Sequence, residues 1–406
     1  MHDVLVLGAG YAGLVAAKRL ARQVHADEVT VTLVTAFPDF VERPRLHQVA
    51  TGQRIRPVPV AGFLAGTGVR LVVASVTDID LAGRTVAAVR DGEPEVIPYD
   101  TLVYALGSNI DVARVPGVAA HAHSLVGRDA ADRVQVRLHE VAEREGRVVV
   151  CGGGLTGIEI ATEVAEYSPA LRVTLVSGSE PGAWLSGKAR AYMRRAFDDL
   201  GVRVRSGARV REVHADAVEL DDGRRVPFEL CLWAGGFRVP ALARTSGLAV
   251  NSEDRALVDE TLESVSHPGV YVIGDAAAVA GSWGTELAMG CRSGGFTGPQ
   301  VADVIAARLA GREPKPFRFR YVHECISLGR RHGLVQFLDA DETPKTRILT
   351  GRAAIAYKNM TLNGAKLLFR HAGPVLARRR HVAPGSHDLR RGSASAGRGQ
   401  VVAGPW

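Results

Sequence analysis

The chain has 406 residues, 46% of them hydrophobic, and a formal net charge of +7 with a pI near 9.4. That length suits two or three globular domains, and no apolar run reaches the ~18 residues that a membrane-spanning helix needs. The positive charge comes mainly from arginine, without a basic stripe of interleaved aromatic residues, so nucleic-acid binding is not expected.

The four cysteines, Cys151, Cys231, Cys291 and Cys325, form no close pair in the sequence. This spacing argues against a disulfide framework and against a metal site. The N-terminus shows no targeting signal, because the first predicted strand begins at Val4. We therefore expect a cytoplasmic protein, with peripheral contact at the inner face of the cell membrane as a further expectation.

A glycine motif follows the first predicted strand. The apolar run at residues 4–7 is typical of a buried parallel strand, and G-x-G-x-x-G comes next, before a helical segment. Gly8 permits a tight turn, Gly10 lets a diphosphate approach the backbone, and Gly13 lets the helix pack on the strand. The free N–H groups at the helix start favour phosphate binding. This predicts a dinucleotide site that comprises Gly8, Gly10, Tyr11, Ala12 and Gly13.

The next segments predict the rest of a first dinucleotide fold. Residues 29–34 form the second strand, and Thr35 follows where such folds usually place an acidic ligand for a ribose hydroxyl. A threonine hydroxyl can bind the ribose, but more weakly than a carboxylate. Residues 37–52 hold two prolines and mixed charge, which predicts an irregular excursion. Residues 74–86 predict two strands joined by a turn, and residues 99–108 predict a buried strand that ends at a glycine.

A second copy of the pattern follows the break at Pro116-Gly117. An amphipathic helix at 129–145 leads to a strand at Arg147, a second glycine motif and a strand at 171–176 that ends without an acidic residue. A helix at 193–200 and strands at 201–204, 210–213 and 230–233 complete the fold. The candidate residues of this second site are Gly152, Gly154, Thr156, Gly157, Ser177 and Gly235.

The remaining elements return the chain to the first fold. Residues 269–275 form a strand that ends in Gly274-Asp275, and residues 298–310 predict a helix that ends at Gly311. Strands are expected within 317–350 around the turn at 339–341, followed by a broken, basic helical stretch at 353–380. The tail from about residue 382 is rich in Gly, Ser and Arg and predicts disorder.

These residues together resemble the flavoproteins that have two dinucleotide-binding folds. Their overall architecture is called the pyridine nucleotide-disulfide oxidoreductase-like fold. Within that group, residues 1–370 are most similar to the type II NADH dehydrogenases, which are NADH:quinone oxidoreductases. Residues 46–52 resemble the LYQVATG segment of that family, and 99–108 resemble YDxLVxATGS. Residues 151–159 resemble GGGPTGVE, 233–235 resemble part of WAAG, and 270–276 match the segment whose aspartate binds the flavin ribityl chain.

The resemblance implies an α/β protein with two Rossmann-like dinucleotide-binding folds, the second inserted in the first, plus a small C-terminal region. The expected FAD-binding domain is discontinuous, at 1–120 and 251–312, and the NAD(P)H-binding domain spans 121–250. Residues 313–381 are expected to pack on the FAD domain or on a membrane surface, and 382–406 form the disordered tail. Further expected FAD contacts are Thr35, Arg43, Val76, Ala105, Gly107, Gly274 and Asp275.

The implied reaction is hydride transfer from NADH or NADPH to FAD, followed by electron transfer to a quinone or a small organic acceptor. Asp275 would bind the ribityl chain, with a helix N-cap as the alternative. Glu159, the candidate catalytic residue, would lie near both rings; the alternative is compensation of the dipole in the first turn of its helix. Arg43 would neutralise the FAD diphosphate or remain exposed, and His47 would lie near the flavin or simply be packed.

Two departures from the family pattern affect the expected specificity. The quinone-linked AQxAxQQ segment is replaced by residues 286–294, which lack a glutamine pair and hold glycines that disfavour a helix at 289–295. We therefore expect small soluble quinones to be reduced better than long-chain membrane quinones. Thr35 and Ser177 replace both acidic ribose ligands, which leaves the choice between NADH and NADPH open. Because Ser177 stands in place of the carboxylate that would repel a 2′-phosphate, NADPH is expected to be accepted.

Other functions and partners also fit the sequence. A soluble flavin-dependent reductase of specialised metabolism is one alternative, and a flavin-bound redox sensor without turnover is another, although a sensor would not need the second glycine motif. The basic stretch at 357–381 would contact an anionic membrane or form a solvated helix. A homodimer is also expected.

Overall fold

The computed structural model describes residues 1–371 and 379–385. Up to residue 121, its strands are β1 (His2–Leu7), β2 (Val29–Thr35), β3 (Asp39–Phe40), β4 (Val58–Pro59), β5 (Arg70–Val73), β6 (Ser75–Asp80), β7 (Thr85–Arg90), β8 (Glu93–Pro98), β9 (Thr101–Tyr104) and β10 (Asn109–Ile110). The helices of this part are α1 (Tyr11–Ala21), α2 (Leu46–Ala50), α3 (Val60–Leu64) and α4 (Val118–His121), with a 3₁₀ helix at Arg43–Arg45.

The middle part contains the helices α5 (Arg128–Glu143), α6 (Leu155–Tyr167), α7 (Gly187–Asp199) and α8 (Leu242–Thr245). Its strands are β11 (Arg147–Cys151), β12 (Arg172–Val176), β13 (Arg203–Arg205), β14 (Val210–Val213), β15 (Ala217–Leu220), β16 (Arg225–Pro227), β17 (Leu230–Trp233) and β18 (Phe237–Arg238). The last part contains β19 (Ala256–Leu257), β20 (Val270–Val272), a 3₁₀ helix at Gly274–Ala276, β21 (Ala277–Ala278), α9 (Cys291–Leu309), β22 (His323–Leu328), β23 (His332–Leu338), β24 (Pro344–Thr350) and α10 (Gly351–His371).

Two parallel sheets form the framework of the molecule. The first has the order β20-β9-β1-β2-β5, and the second has the order β13-β12-β11-β17. In each sheet, the strand before the glycine motif lies between the next strand along the chain and a later one. Strands β1 and β11 are almost wholly buried, as expected for strands covered on both faces. Both glycine motifs therefore begin at the carboxyl end of an inner strand, which is where ligands bind such sheets.

Helix α9 begins seven residues earlier than predicted and covers residues 291–295, so the expectation that glycines disfavour a helix at 289–295 was wrong. A Cβ atom on Gly298 would collide with the carbonyl oxygen of Ala12, so the absence of a side chain lets α9 pack closely against α1. Thr297 Oγ1 donates to the carbonyl oxygen of Gly294 at 3.0 Å and accepts from the Gly274 N–H at 3.0 Å. Tertiary packing here outweighs the low helix propensity of glycine.

The packing of the C-terminal region differs in part from the prediction. Tyr321, Leu338 and Phe369 join the hydrophobic core of the first fold, which agrees with the predicted packing on that domain. Ile326, Leu328 and Leu334 join the core of the second fold, which was not predicted. Helix α10 connects both folds, because its Phe369 ring packs against Tyr11 with 5.4 Å between ring centroids. It runs unbroken to residue 371, whereas the predicted break at Gly373-Pro374 lies outside the described residues.

Smaller differences concern the tail and two short segments. Residues 382–385 were predicted to begin a disordered tail, but Val382 N–H donates to Glu28 at 2.7 Å and Ala383 N–H to the Leu309 carbonyl at 2.8 Å. Residues 386–406 lie outside the described part of the chain. Strand β8 extends the predicted pair β6–β7, and the excursion at 37–52 contains α2. In the part of the chain that the structure describes, no helix combines the length and apolarity needed to cross a bilayer.

Candidate active site

The first glycine motif forms an open cradle at the start of α1. A Cβ atom on Gly8 would collide with the Ala105 carbonyl, and one on Gly13 would collide with the Gly8 carbonyl. Gly10 differs, because no described atom lies within 4 Å of the position that its Cβ would occupy. Two glycines thus allow close packing of strand and helix, whereas Gly10 leaves space in front of the helix N-terminus. The free N–H groups at that N-terminus can donate hydrogen bonds to a phosphate in this space.

The second glycine motif repeats this geometry. A Cβ atom on Gly157 would collide with the Gly152 carbonyl, whereas Gly154 again has no described atom within 4 Å of its Cβ position. Gly154 is also the residue before α6, and Thr156 lies in the first turn of that helix. Gly235 lies beside this motif at the end of β17, where its carbonyl accepts a hydrogen bond from Trp233 Nε1 at 3.1 Å. The chain therefore contains two separate dinucleotide cradles.

Asp275 lies close to the first cradle and joins two segments. Its carboxylate accepts a hydrogen bond from Ser108 Oγ at 2.6 Å and another from Gly290 N–H at 2.7 Å, directly before α9. Asp275 lies inside a short 3₁₀ helix whose N-cap residue is Ile273, so the predicted N-cap alternative is wrong. The open cradle at Gly10 and this carboxylate fit the diphosphate and the ribityl hydroxyls of FAD.

Arg43 and Cys291 both lie near enough to Asp275 to interact electrostatically with its carboxylate. Both residues keep solvent-accessible surface, yet the surrounding protein desolvates them: it lowers the pKa of Arg43 and raises the pKa of the Cys291 thiol. The Arg43 guanidinium lies 3.4 Å from Ser108 Oγ, next to Asp275, so it is not an isolated surface arginine. This position suits a contact with an anionic cofactor.

Glu159 is the centre of a buried polar cluster that joins four elements. It lies in the second turn of α6 rather than the first, so dipole compensation does not account for it. Lys358 Nζ from α10 forms an ion pair with Glu159 Oε1 and donates to Ser327 Oγ at 2.8 Å. The N–H of Ser327 in β22 donates to the same Glu159 oxygen at 2.9 Å. His47 Nδ1 from α2 lies 3.8 Å from Glu159 Oε2.

The charges in this cluster determine the protonation of its members. Burial would raise the pKa of Glu159, but Lys358, His47 and the Ser327 N–H together lower it below its usual value. Burial lowers the pKa of His47, and the Glu159 carboxylate offsets this only in part. The Nε2 atom of His47 is buried and has no hydrogen-bond partner among the described residues. We infer an ionised Glu159 beside a neutral, packed His47 at neutral pH.

Sequence reasoning missed Lys358 as a member of this cluster. It was assigned to a basic surface stretch, but the residue is buried, with 9% of its surface exposed. Its partners are far away in the sequence: Glu159 is 199 residues distant. The only signal in the sequence is that the chain retains just six lysines among 50 basic residues.

A second group of polar contacts holds α2 against the second fold. The Glu163 carboxylate, one helical turn beyond Glu159, accepts from Thr51 Oγ1 at 3.0 Å, from Gln53 Nε2 at 2.7 Å and from Arg330 Nε at 2.8 Å. These bonds join the predicted excursion, the second fold and the C-terminal sheet. They therefore keep His47 next to Glu159.

The other predicted site residues lie at the carboxyl ends of the two sheets or beside them. Thr35 ends β2 and is buried, with its hydroxyl 3.1 Å from the Phe37 carbonyl, and Val76 lies in the adjacent β6. Ser177 directly follows β12 and is also buried. The direct contacts of these residues with cofactors stay predictions, as do those of Tyr11, Ala12, Ala105, Gly107 and Gly274.

The buried His47 should make the stability of the fold depend on pH. The unfolded chain protonates this histidine near pH ~6.5, whereas the folded protein does so only at lower pH. The stabilisation that comes from burying neutral His47 is therefore fully present above about pH 6.5. It is lost as the pH falls from that value towards the lower pKa of the folded state. We expect His47→Gln to reduce the loss of Tm between pH 7.5 and 5.5. Glu159 titrates below this window, because the pKa of its carboxyl group is lowered.

The measurement is thermal unfolding of the wild type and the variant at both pH values. His139→Gln is the matched control, since His139 is exposed on α5. An unchanged difference in Tm for His47→Gln would contradict the burial argument.

Two parallel sheets, each with an open glycine cradle, define the molecule as an α/β protein with two dinucleotide sites. The chain belongs to the pyridine nucleotide-disulphide oxidoreductase family, whose model matches residues 2–304. This confirms the predicted fold class and the predicted assignment as an oxidoreductase.

Relatives within this family resemble the chain over most of its length. The type II NADH:quinone oxidoreductase Ndh of Mycobacterium tuberculosis is 30% identical over 363 residues, covering 78% of this chain and 76% of the relative. Demethylphylloquinone reductase NdbB of Synechocystis is 24% identical over 374 residues, covering 87% and 91%. The structure of NDH2 from Plasmodium falciparum in complex with NADH shares the fold, with a TM-score of 0.78 at 13% identity, covering 93% and 99%.

These similarities confirm the predicted resemblance to the type II NADH dehydrogenases. They also agree with the predicted cofactors, FAD and a nicotinamide dinucleotide, and with the predicted transfer of electrons to a quinone or a similar acceptor.

Proposed function

We propose that the chain is an FAD-dependent NAD(P)H dehydrogenase that passes electrons to a quinone or a similar acceptor. The observation that carries this proposal is the buried ion pair of Glu159 and Lys358, which joins the NAD(P)H fold to the C-terminal helix. The thiol of Cys291 interacts electrostatically with this pair and with Asp275 of the first fold. Cys291, which follows Gly290 at the start of α9, therefore lies near both the ion pair and Asp275.

The residues of the first cradle would bind FAD, with Asp275 on the ribityl chain and Arg43 beside the diphosphate. FAD, when bound, supplies the two-electron chemistry between nicotinamide and acceptor. A quinone takes up two protons with two electrons, so a proton source must reach the site. Lys358 Nζ can donate one of these protons and regain it from solvent water, while the ionised Glu159 carboxylate stabilises the ammonium group. Catalysis by Glu159 thus depends on its contact with Lys358.

The start of α9 favours a second candidate, a soluble flavin-dependent reductase that acts on an organic acceptor. Arg292 lies there, 2.6 Å from Glu342 and 3.1 Å from Glu324, and its guanidinium lies 5.0 Å from the centre of the Tyr321 ring. Trp184 Nε1 also donates to Glu324 at 2.6 Å. This charged cluster occupies the segment that resembles the quinone-linked part of the family, and charged side chains suit a polar acceptor better than an isoprenoid chain.

Membrane contact and a homodimer are further parts of the proposal. On α10, Met360 and Leu367 are seven residues apart, which places them on one helix face, and they are 61% and 58% exposed. We propose that this face, within residues 357–381, binds the inner surface of the cell membrane peripherally or covers a second copy of the chain. The protein would then be cytoplasmic with reversible membrane contact.

We expect NADH or NADPH to bleach the flavin absorption anaerobically and menadione to restore it faster than a long-chain quinone in liposomes. The charges of Arg292, Glu324 and Glu342 would hinder entry of an apolar chain, although the helix argument for this expectation has failed. The experiment measures both half-reactions by stopped-flow absorption, together with co-sedimentation with anionic liposomes and the mass of the protein by light scattering. Bleaching without transfer to any acceptor would favour a redox sensor. Rapid long-chain quinone turnover with full co-sedimentation would favour a respiratory enzyme.

A further inference from the structure

In the second fold, the position expected to contact the adenosine ribose of the nicotinamide dinucleotide lacks the usual carboxylate. In such folds, the residue at the end of the second strand lies next to the 2′ position of the adenosine ribose, and a carboxylate there favours NADH. Here β12 ends at Val176, and Ser177, Gly178 and Ser179 follow. No member of this triplet carries a negative charge, so nothing in it would repel a 2′-phosphate.

An arginine-bearing segment lies directly beside this triplet. The N–H of Ser177 donates to the Arg205 carbonyl at 2.9 Å, and the N–H of Ala208 donates to the Ser177 carbonyl at 3.0 Å. The side chain of Arg209 extends along Gly178: its Cγ and Nε atoms lie 3.3 Å and 3.9 Å from the position that a Cβ on Gly178 would occupy. A glycine at 178 thus leaves space for this side chain beside the ribose position.

The charge of Arg209 is available for an anion. Its backbone N–H donates to Asp221 Oδ1 at 3.3 Å, but within the described residues no carboxylate oxygen lies within 4.0 Å of its guanidinium. The nearest acidic residue after the triplet, Glu180, is paired with Arg194 at 2.9 Å. Arg203 and Arg205 in β13 are also exposed and add positive charge to this edge of the sheet. A phosphate dianion at this edge would gain a charge-assisted bond without competition from a salt bridge.

We propose that Arg209 and Ser177 form a subsite for the 2′-phosphate of NADPH, so that the second fold binds NADPH more tightly than NADH. The guanidinium of Arg209 pairs with the phosphate. Ser177 is small and uncharged, so it neither occupies the position of the phosphate nor repels it, as a carboxylate would. The inference rests on the proposed function, since it names the nucleotide that would reduce the flavin. Its binding part can be tested without turnover.

The first test uses adenosine 2′,5′-bisphosphate and 5′-AMP as probes of the FAD-loaded protein, with binding measured by calorimetry. We expect the bisphosphate to bind the wild type at least about tenfold more tightly. Arg209→Leu should abolish this difference and Arg209→Lys should restore part of it. Arg133→Leu, which removes an exposed arginine from α5 with the same change in charge, is the matched control and should retain the difference.

The second test uses steady-state turnover with each reduced nucleotide. Arg209→Leu should raise the KM for NADPH at least about tenfold while it leaves kcat and the KM for NADH nearly unchanged. Ser177→Glu keeps Arg209 but places a carboxylate at the subsite, which repels the phosphate, and should also shift the preference towards NADH. Higher ionic strength should weaken the preference of the wild type, since the arginine is exposed.

The outcomes separate this inference from the proposed function. Equal binding of both probes by the wild type, or an unchanged difference in Arg209→Leu, would overturn the subsite even if NADH reduces the flavin. A clear preference for the bisphosphate that disappears in Arg209→Leu would support it, even if no quinone is reduced. Should Arg209→Leu fail to fold, the Ser177→Glu variant decides: unchanged binding of the bisphosphate would contradict the proposal.

Discussion

Gly10→Val is expected to give a folded protein that has lost FAD. The backbone of Gly10 is extended, with φ −73° and ψ −171°, a conformation that valine adopts readily. No described atom lies within 4 Å of the added Cβ, so the branched side chain would fill only the cradle in front of α1. The diphosphate would then be excluded from the helix N-terminus. We expect at least a hundredfold weaker FAD binding, which corresponds to about 2.7 kcal/mol.

The measurement is the ratio of flavin to protein after purification, together with circular dichroism and the Tm of the FAD-free proteins. Gly154→Val is the matched control, because Gly154 has the same open position in the second motif. That variant should keep FAD and lose rapid bleaching by reduced nucleotide. Gly13→Val should instead destabilise the fold, since its Cβ would collide with the Gly8 carbonyl. Stoichiometric FAD in purified Gly10→Val would show that the cofactor site lies elsewhere.

The glycine motifs could be predicted from the sequence, whereas the contact of Lys358 with Glu159 could not. Each glycine motif is a local pattern: the turn, the close helix packing and the open cradle all arise within a few residues of one another. The parallel strands before them are also recognisable from their continuous apolar runs. Lys358 meets Glu159 only because α10 packs across the second fold, and no local pattern encodes that contact. Its position in a basic stretch favoured an exposed residue.

The start of α9 shows that helix propensity alone can give a wrong prediction. Three glycines near one another predict a poor helix, because glycine loses more conformational freedom than other residues on folding. The structure nevertheless has a helix there, and a residue further along it, Gly298, lies against Ala12 of α1, where a Cβ atom would collide with the Ala12 carbonyl oxygen. Propensity is a weak guide where a close approach between two helices requires small residues. The C-terminal sheet was likewise recognised as strands, but its place on the second fold depends on long-range packing.

Lys358→Met is expected to reduce both the stability of the protein and its turnover. The side chains of Lys358 and Glu159 are each 11% exposed, so the substitution would leave a buried carboxylate without its cation. Removing one partner of a buried ion pair typically costs about 3–5 kcal/mol. The loss of the ammonium group would also raise the pKa of Glu159, because Lys358 is the main group that lowers it against the effect of burial. We expect a lower urea midpoint and slower reoxidation of the reduced flavin by menadione.

The double variant Glu159→Gln/Lys358→Met separates the structural effect from the catalytic one. It removes both charges, so most of the lost stability should return, whereas turnover should stay low because no proton donor replaces Lys358. Arg352→Met is the control on the same helix: Arg352 is exposed, and its loss should cost less than about 1 kcal/mol. Urea unfolding of the wild type, the double variant and the two single variants Glu159→Gln and Lys358→Met gives the coupling energy of the pair. Stopped-flow absorption gives the rate of each half-reaction. If the double variant recovered full turnover together with stability, the pair would serve packing alone, and the proton needed by the acceptor would have to come from another group or from water.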